Sequence, residues 1–498
     1  MNRILLFIYF LIPTLLVSQN SEEVLRWAAD AESGAPYVFQ DPRIPTKLIG
    51  FEVDIINAIS KEMGIENEHF QNQWDGLIPG LKRNDYDIAI NGLEITEDRK
   101  KEVAFSIPYY ITFQQIVVRA SSDDIKDLDG LEEKSVGTLK ASLAERILKE
   151  HGNINIKTYD SEASSYEDLK NGRLDAVLID EPVAKYYAGW NLALKLTGDP
   201  IGEVVYGIVM EKQDTILQNR INVAITKLIT TGKLREILEQ WDMWNYMVAV
   251  YLDDKTASNI KPTKYNQFLD SRKIELIFDD YVDRYIGYLP VLGEAALTTI
   301  LLSILSMIVA IFLGLVLALT KVYAPKPLSF LATAYIEIIR GTPLLIQLFF
   351  IYYALPSFGL NLNPFSAAIL GLGLNYAAYE AENYRAGLYS VPKGQMEAAI
   401  SLGMTRRQAL KHIIIPQAIR LVIPPVTNDF ISLLKDTSLV SVIAMAELTK
   451  RYLELSATYY DYIGTGIIVA VIYLLIGLPF VKLSKYVEKK YSLEKSNT

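Results

Sequence analysis

The chain of 498 residues contains no cysteine and only three histidines. Without cysteine there are no disulfides, no thiolate metal sites and no lipoprotein anchor. His69, His151 and His412 are far apart and show no ligand spacing, so no metal centre and no catalytic residues are expected. A G-x-x-x-x-G-K-[ST] phosphate loop is also missing, so any ATP chemistry must come from another subunit. Positive charge is in deficit. Lys and Arg number 49 against 58 Asp and Glu, and the net charge of −9 argues against nucleic acid as a partner. Charge of either sign is scarce in long runs after about residue 285, and these runs supply much of the 50% hydrophobic content and the mean hydropathy of +0.17.

What is present divides the chain into four parts. Arg3 precedes an apolar run at 4–17, broken by Pro13 and succeeded by Ser18, Gln19 and Asn20. This predicts a signal peptide over 1–20, or else a retained anchor, since small residues at a cleavage site are lacking; either exports the domain behind it. Residues 21–246 alternate short apolar runs at 24–29, 87–91, 115–119, 135–137 and 176–179 with helical patterns at 53–63 and 215–231. That pattern predicts an α/β domain of two lobes joined by crossing strands. At 247–288 the pattern weakens to a linker, which either carries an amphipathic segment at 274–285 near a membrane surface or is plainly solvated throughout.

Residues 289–498 hold five expected spans, at 295–320, 328–355, 365–390, 424–444 and 462–483. Lys321, Lys326 and the Lys482, Lys485, Lys489, Lys490 tail fall on one side, and the uncharged 356–363 loop on the other. The positive-inside rule then places the soluble domain outside a multi-pass inner (cell) membrane protein, in contact with lipid. Glu337 and Arg340 stand at i and i+3 within a span, where they either neutralise one another or mark a functional position.

Between the third and fourth spans lies Glu397-Ala398-Ala399, then Gly403, then Ile413-Ile414-Ile415-Pro416, flanked by Lys393, Arg406, Arg407, Lys411 and Arg420. Ala, Gly and Pro at these positions predict a short helix, a tight bend and a new helix. This stretch resembles the EAA coupling loop of ABC-importer permeases. The resemblance implies that Glu397, Ala398, Ala399 and Gly403 dock a separate ATPase subunit. Glu337-x-x-Arg340-Gly341-Thr342-Pro343, Ala381-Glu382-x-x-Arg385 and Lys435-Asp436-Thr437-Ser438 resemble permeases of the histidine, glutamine and arginine group.

The soluble part resembles extracytoplasmic amino-acid-binding proteins. The match rests on Leu25-Arg26-Trp27-Ala28-Ala29-Asp30, Gly50-Phe51-Glu52-Val53-Asp54, Trp74-Asp75-Gly76, Asn91-Gly92-Leu93-Glu94-Ile95-Thr96, Arg99 and Gly172-Arg173-Leu174-Asp175 with Asp180. It implies a type II periplasmic-binding-protein fold fused to an all-α permease, and a substrate site of Asp30, Trp74, Gly92, Glu94, Arg99, Ser142 and Asp180. In that site Arg99 forks the α-carboxylate of an amino acid. Asp180, helped by Asp30, takes the α-ammonium, Trp74 walls the side chain and Ser142 closes on the carboxylate. Glu94, Ala141 and Ser33 depart from the family pattern. Glu94 either competes with the substrate's carboxylate or faces a cationic or amide side chain, and with Asp30, Glu32 and Asp180 it tilts the pocket toward a basic or polar amino acid. The implied assembly is a homodimer with two ATPase subunits. The alternative is an amino-acid-gated channel or receptor.

Overall fold

The computed structural model describes residues 23–31, 34–159, 161–273, 278–443, 445–459 and 461–491. The expected signal segment, Glu32, Ser33 and part of the 274–285 stretch lie outside them.

Val24–Ala29 buries Leu25, Trp27 and Ala29 and pairs in parallel with Glu66–Gln71 and Ile88–Ala89. The first lobe's sheet runs Glu66–Gln71, Val24–Ala29, Ile88–Ala89, Val209–Met210, Ala104–Phe105. That of the second runs Leu194–Tyr206, Tyr110–Arg119, Ala176–Asp180, Ser135–Leu139, Asn155–Tyr159. Val209–Met210 returns to the first sheet after the last strand of the second, so the chain crosses between lobes twice. Tyr109 N donates to Tyr206 O at 3.1 Å and ties the two crossings together. Such a paired hinge lets lobes turn as bodies about a few residues.

The expected strand at 115–119 proves to be Tyr110–Arg119, flanked by a strand on either side. Its first half is buried on both faces yet carries Thr112 and Gln114 among the apolar residues, so no alternation marks where it starts.

The expected linker is folded against the soluble domain. Tyr246–Tyr251 and Thr263–Lys273 are helices, and Phe268, 4% exposed, packs edge-on to Phe39 with centroids 5.9 Å apart. Tyr265, Phe268 and Leu269, at i, i+3 and i+4, form the packed face of Thr263–Lys273, a stripe too short to stand out among the polar residues around it.

From Phe278 a helix of 46 residues runs without interruption to Tyr323, in place of a separate surface segment and a span after it. Among the described residues, Tyr281–Tyr323, Arg406–Ile443 and Tyr462–Tyr486 are long and apolar enough to cross a membrane. Lys326–Gly341 and Leu344–Ala354 qualify together, bent by 109°. Pro343 stands at that break, where it has no N–H to continue the helical ladder. The expected span at 365–390 is the 27-residue helix Pro364–Ser390. Its Asn375, Glu380, Glu382 and Arg385 leave it less apolar than the others. It lies inside the bundle. A Cβ on Gly314 of the long helix would come within 2.7 Å of Glu380 Cβ, and one on Gly373 within 2.7 Å of Val309 Cγ1. Small residues permit that close approach between membrane helices.

Candidate ligand-binding cleft and coupling loop

Arg99 sits in the first turn of Glu97–Glu102, a helix capped by Thr96, whose Oγ1 accepts from Arg99 N at 3.2 Å. The Arg99 guanidinium lies 5.0 Å from the Trp74 ring centroid. Trp74 is held in turn: its Nε1 donates to Asn91 O at 3.0 Å. Gly92, at φ +59, adopts a left-handed conformation, and a Cβ there would press to 3.2 Å from the Tyr37 ring. Its N–H donates to Glu52 Oε1 at 2.8 Å, and Tyr109 OH donates to the same oxygen. Burial pushes the Glu52 carboxyl up to about 8, outweighing those two bonds.

Asp180 ends the strand Ala176–Asp180 in the second lobe. Gln114 Nε2 donates to Oδ1, and the hydroxyls of Tyr37 (3.2 Å) and Tyr206 donate to Oδ2. A carboxylate has about four lone-pair positions, so this anchored anion retains capacity for a cation. Burial is the largest cause that raises its pKa to about 6; the hydroxyl and amide bonds oppose it, and the nearby Glu94 charge adds to it. Tyr37, Tyr206 and Gln114 thus surround Asp180, and none of them was among the expected site residues.

Asp30 lines the gap beside Trp74 and also orders its neighbours. Its Oδ1 accepts from Gln71 Nε2 at 2.9 Å and its Oδ2 from Trp74 N at 3.0 Å. It organises the first lobe around Trp74. Ser142 also works locally, as the N-cap of the helix Leu143–His151: its Oγ donates to Leu139 O at 2.7 Å and accepts from Glu145 N at 3.2 Å. The group that faces the cleft is the next N–H, that of Leu143. Ala141 keeps φ +59, so the turn retains the conformation a glycine would adopt there.

Glu94, 4% exposed, joins the lobes. Its Oε2 accepts from Arg99 Nη1 at 3.0 Å and from Arg146 Nη2 at 2.8 Å, while Oε1 accepts from Leu143 N at 2.7 Å. Leu143 and Arg146 belong to the second lobe, Arg99 to the first. Of the two readings open for Glu94, this arrangement favours the competing one, because its carboxylate accepts from two guanidinium groups. Arg146 escaped notice in the sequence, yet it carried a signal. A cation in the first turn of a helix opposes the helix dipole and needs a nearby anion. Between Trp74 and Tyr159 the remaining gap has a volume of ≈ 20 Å³, about the room of one water molecule.

On the membrane side, Lys393–Ser401 and Arg406–Ala409 are helices separated by a bend at Gly403, whose φ is +87. Thr405 and Gln408 form a capping box that starts the second helix. Ala399 is buried, whereas Glu397, Ala398 and Gly403 are exposed, with Ile400 and Leu402 beside them 48% and 83% exposed. Glu397 stands in the second turn of its helix, past the region where the N-terminal dipole acts strongly.

Within the helices, Glu382 pairs with Lys321 at 2.8 Å and Arg385 at 2.7 Å, and Asn383 Nδ2 donates to Asp429 Oδ2 at 2.8 Å. No ion pair joins Glu337 to Arg340 among the described residues. Arg340 lies 5.3 Å from the Tyr379 centroid and, with Asn375, Asp429 and Asp436, lines a cavity of ≈ 550 Å³.

Residues 25–243 match the family of bacterial extracellular solute-binding proteins, family 3, and residues 310–493 match the binding-protein-dependent transport system inner membrane component. The L-cystine transport system permease protein TcyB of Bacillus subtilis (strain 168) is 45% identical over 177 residues, 36% of this chain and 76% of that protein. The glutamine transport system permease protein GlnP of Escherichia coli (strain K12) is 35% identical over 207 residues, 41% of this chain and 94% of that one. A solved ancestral arginine-binding protein bound to glutamine is 35% identical and covers 44% of this chain and 98% of its own, at a TM-score of 0.42. The chain belongs to the inner membrane components of binding-protein-dependent transport systems, with a family 3 solute-binding domain joined ahead of its permease.

Proposed function

We infer that this chain carries an amino acid inward across the cell membrane, as the joined binding and permease subunit of an ATP-driven importer. The observation that carries the reading is the pairing of two complementary subsites in one hinged cleft. Arg99, Arg146 and the Leu143 N–H form an anion subsite, and Asp180 with its hydroxyl partners forms a cation subsite. A zwitterion satisfies both at once and bridges the lobes, which is how a ligand drives closure. The relatives are permeases for amino acids, L-cystine and glutamine among them.

ATP is supplied by a separate ATPase subunit that docks on the bend at Gly403 and the exposed helix before it. Two copies of this chain present two such bends, one for each ATPase subunit, with the binding domains on the outer side. The channel alternative leaves the bend at Gly403 without a role. Calorimetric titration of the full chain in lipid nanodiscs with each of the twenty amino acids and L-cystine tests the ligand class. Saturable binding of at least one supports the reading, and binding of none contradicts it.

A further inference from the structure

An anion subsite built from two guanidinium groups and a helix N-terminus is suited to one carboxylate. In this cleft the carboxylate that fills it is the chain's own. Glu94 accepts from Arg99, Arg146 and Leu143 N at 3.0, 2.8 and 2.7 Å, and Leu143 opens a nine-residue helix. The residue is fixed in place from behind. Its backbone bridges to Tyr206 at the hinge, and Ile95 N donates to Val205 O at 2.9 Å. Glu94 Oε2 therefore faces the second lobe from a rigid part of the first.

The geometry points to Glu94 as a built-in competitor for the ligand's α-carboxylate, one that also latches the two lobes together. This rests on the amino-acid reading above. The bonds that close the cleft on a ligand are made equally well by the Glu94 carboxylate, so an incoming amino acid must displace it before its own carboxylate reaches Arg99 and Leu143 N. The displacement has two effects. Affinity for any α-carboxylate ligand is lower than the subsite itself would give, because part of its binding energy goes into moving Glu94. The displaced carboxylate, tethered beside the cleft, then meets the ligand's side chain and favours one that carries hydrogen-bond donors.

A residue that only supports the fold or the ligand weakens binding when replaced, whereas a competitor strengthens it. The full chain in nanodiscs is titrated with the twenty amino acids and L-cystine, as the parent and as Glu94→Gln and Glu94→Ser. The expected result is about tenfold or more tighter binding in both variants for an amino acid the parent binds, the scale of one charge-assisted hydrogen bond. Unchanged or weaker binding in both overturns the inference while leaving the amino-acid reading in place. Binding of no amino acid by parent or variants overturns that reading, and the inference with it. A second measurement uses the absence of cysteine: spin labels at Lys82→Cys and Glu150→Cys, exposed positions on the two lobes, report their separation. Before amino acid is added, the parent should give the shorter distance and Glu94→Gln the longer. Identical distributions would contradict the latch.

Discussion

Arg83 of the soluble domain lies over the ring of Tyr352 in the membrane domain, its guanidinium carbon 4.0 Å from the ring centroid. Tyr353 stands 5.6 Å away, and Asp85 pairs with the guanidinium at 2.9 Å while accepting from Tyr352 OH at 3.4 Å. Gln40 Nε2 also donates to Glu454 at 3.3 Å, and Tyr459 OH to the Asp41 carbonyl at 3.1 Å. These contacts hold the first lobe on the permease, the one at Tyr352 following the Pro343 bend.

The Arg83 side chain is only 3% exposed, and a desolvated cation–π contact is worth about 2 kcal/mol. Arg83→Ala should leave amino-acid affinity within about twofold of the parent and reduce ligand-stimulated ATP hydrolysis by the partner ATPase several-fold, on the order of the 1.4 kcal/mol per tenfold scale. Full stimulation in Arg83→Ala would show that this contact does not transmit closure.

Arg99→Ala should nearly abolish ligand binding, and Arg99→Lys should retain little of it, because an ammonium cannot reproduce the planar fork. Calorimetry on both variants checks this. Affinity equal to that of the parent in Arg99→Ala would remove Arg99 from the site.

The cleft's pH response depends on Asp180. Its pKa in the folded protein is about 6, above the ordinary carboxylate range. The ammonium of a ligand requires the ionised form. Affinity should therefore be flat above pH 7 and fall by about tenfold per unit well below 6. Asp180→Asn should bind weakly and lose that slope. The same titration runs the other way for stability. The folded state holds this proton over a pH range where the unfolded chain has released it, so Asp180 makes the fold less stable as pH rises from about 4 to about 6.

Glu52 gives a second stability prediction. It is fully buried with a pKa of about 8, against 4.5 for the free side chain. Stability falls as pH rises from the lower value through the higher, by about 1.4 kcal/mol per unit. Glu52→Gln keeps an acceptor for Gly92 N and Tyr109 OH without the proton. The melting temperature of its soluble domain, monitored in the full chain, should drop less between pH 6 and pH 9 than that of the parent. Parallel curves would place the protonation elsewhere.

Much of this was legible in the sequence, for physical reasons that differ from residue to residue. Gly403 announced its bend because a φ of +87 suits glycine above all, and Arg99 and Asp180 stood in motifs whose chemistry is that of a zwitterion's partners. The strand Val24–Ala29 was readable from its alternation. The local contacts of Asp30 with Gln71 and Trp74, and of Ser142 as a helix cap, were not legible, since a carboxylate that orders a tryptophan and a hydroxyl that caps a helix look the same in sequence as ligand contacts. Tyr206 was hidden because it reaches Asp180 only through the pairing of the second sheet, and Arg146 showed only as a cation near a helix start, its partner Glu94 lying in the other lobe. The bend at Pro343 and the burial of Pro364–Ser390 also depend on helix packing rather than on composition.

Gly403→Val should uncouple the chain without affecting the cleft. A Cβ there meets nothing within 4 Å, so the cost is conformational rather than steric: about 1–2 kcal/mol for a β-branched residue held in the left-handed region. Asn, which tolerates that region, should be milder. Ligand affinity should match the parent in both, while ligand-stimulated ATP hydrolysis is lost in the valine variant and partly kept in the asparagine one. Equal hydrolysis in all three would show that the bend does not dock the ATPase.

The most direct test of the whole account is uptake of a labelled amino acid by sealed vesicles holding this chain, with and without the partner ATPase and ATP. The account predicts accumulation against a gradient only when both ATPase and ATP are present, and none when the ATPase carries an inactivated phosphate loop. Equilibration of the amino acid, or an amino-acid-dependent ion current, in vesicles with this chain alone would contradict it.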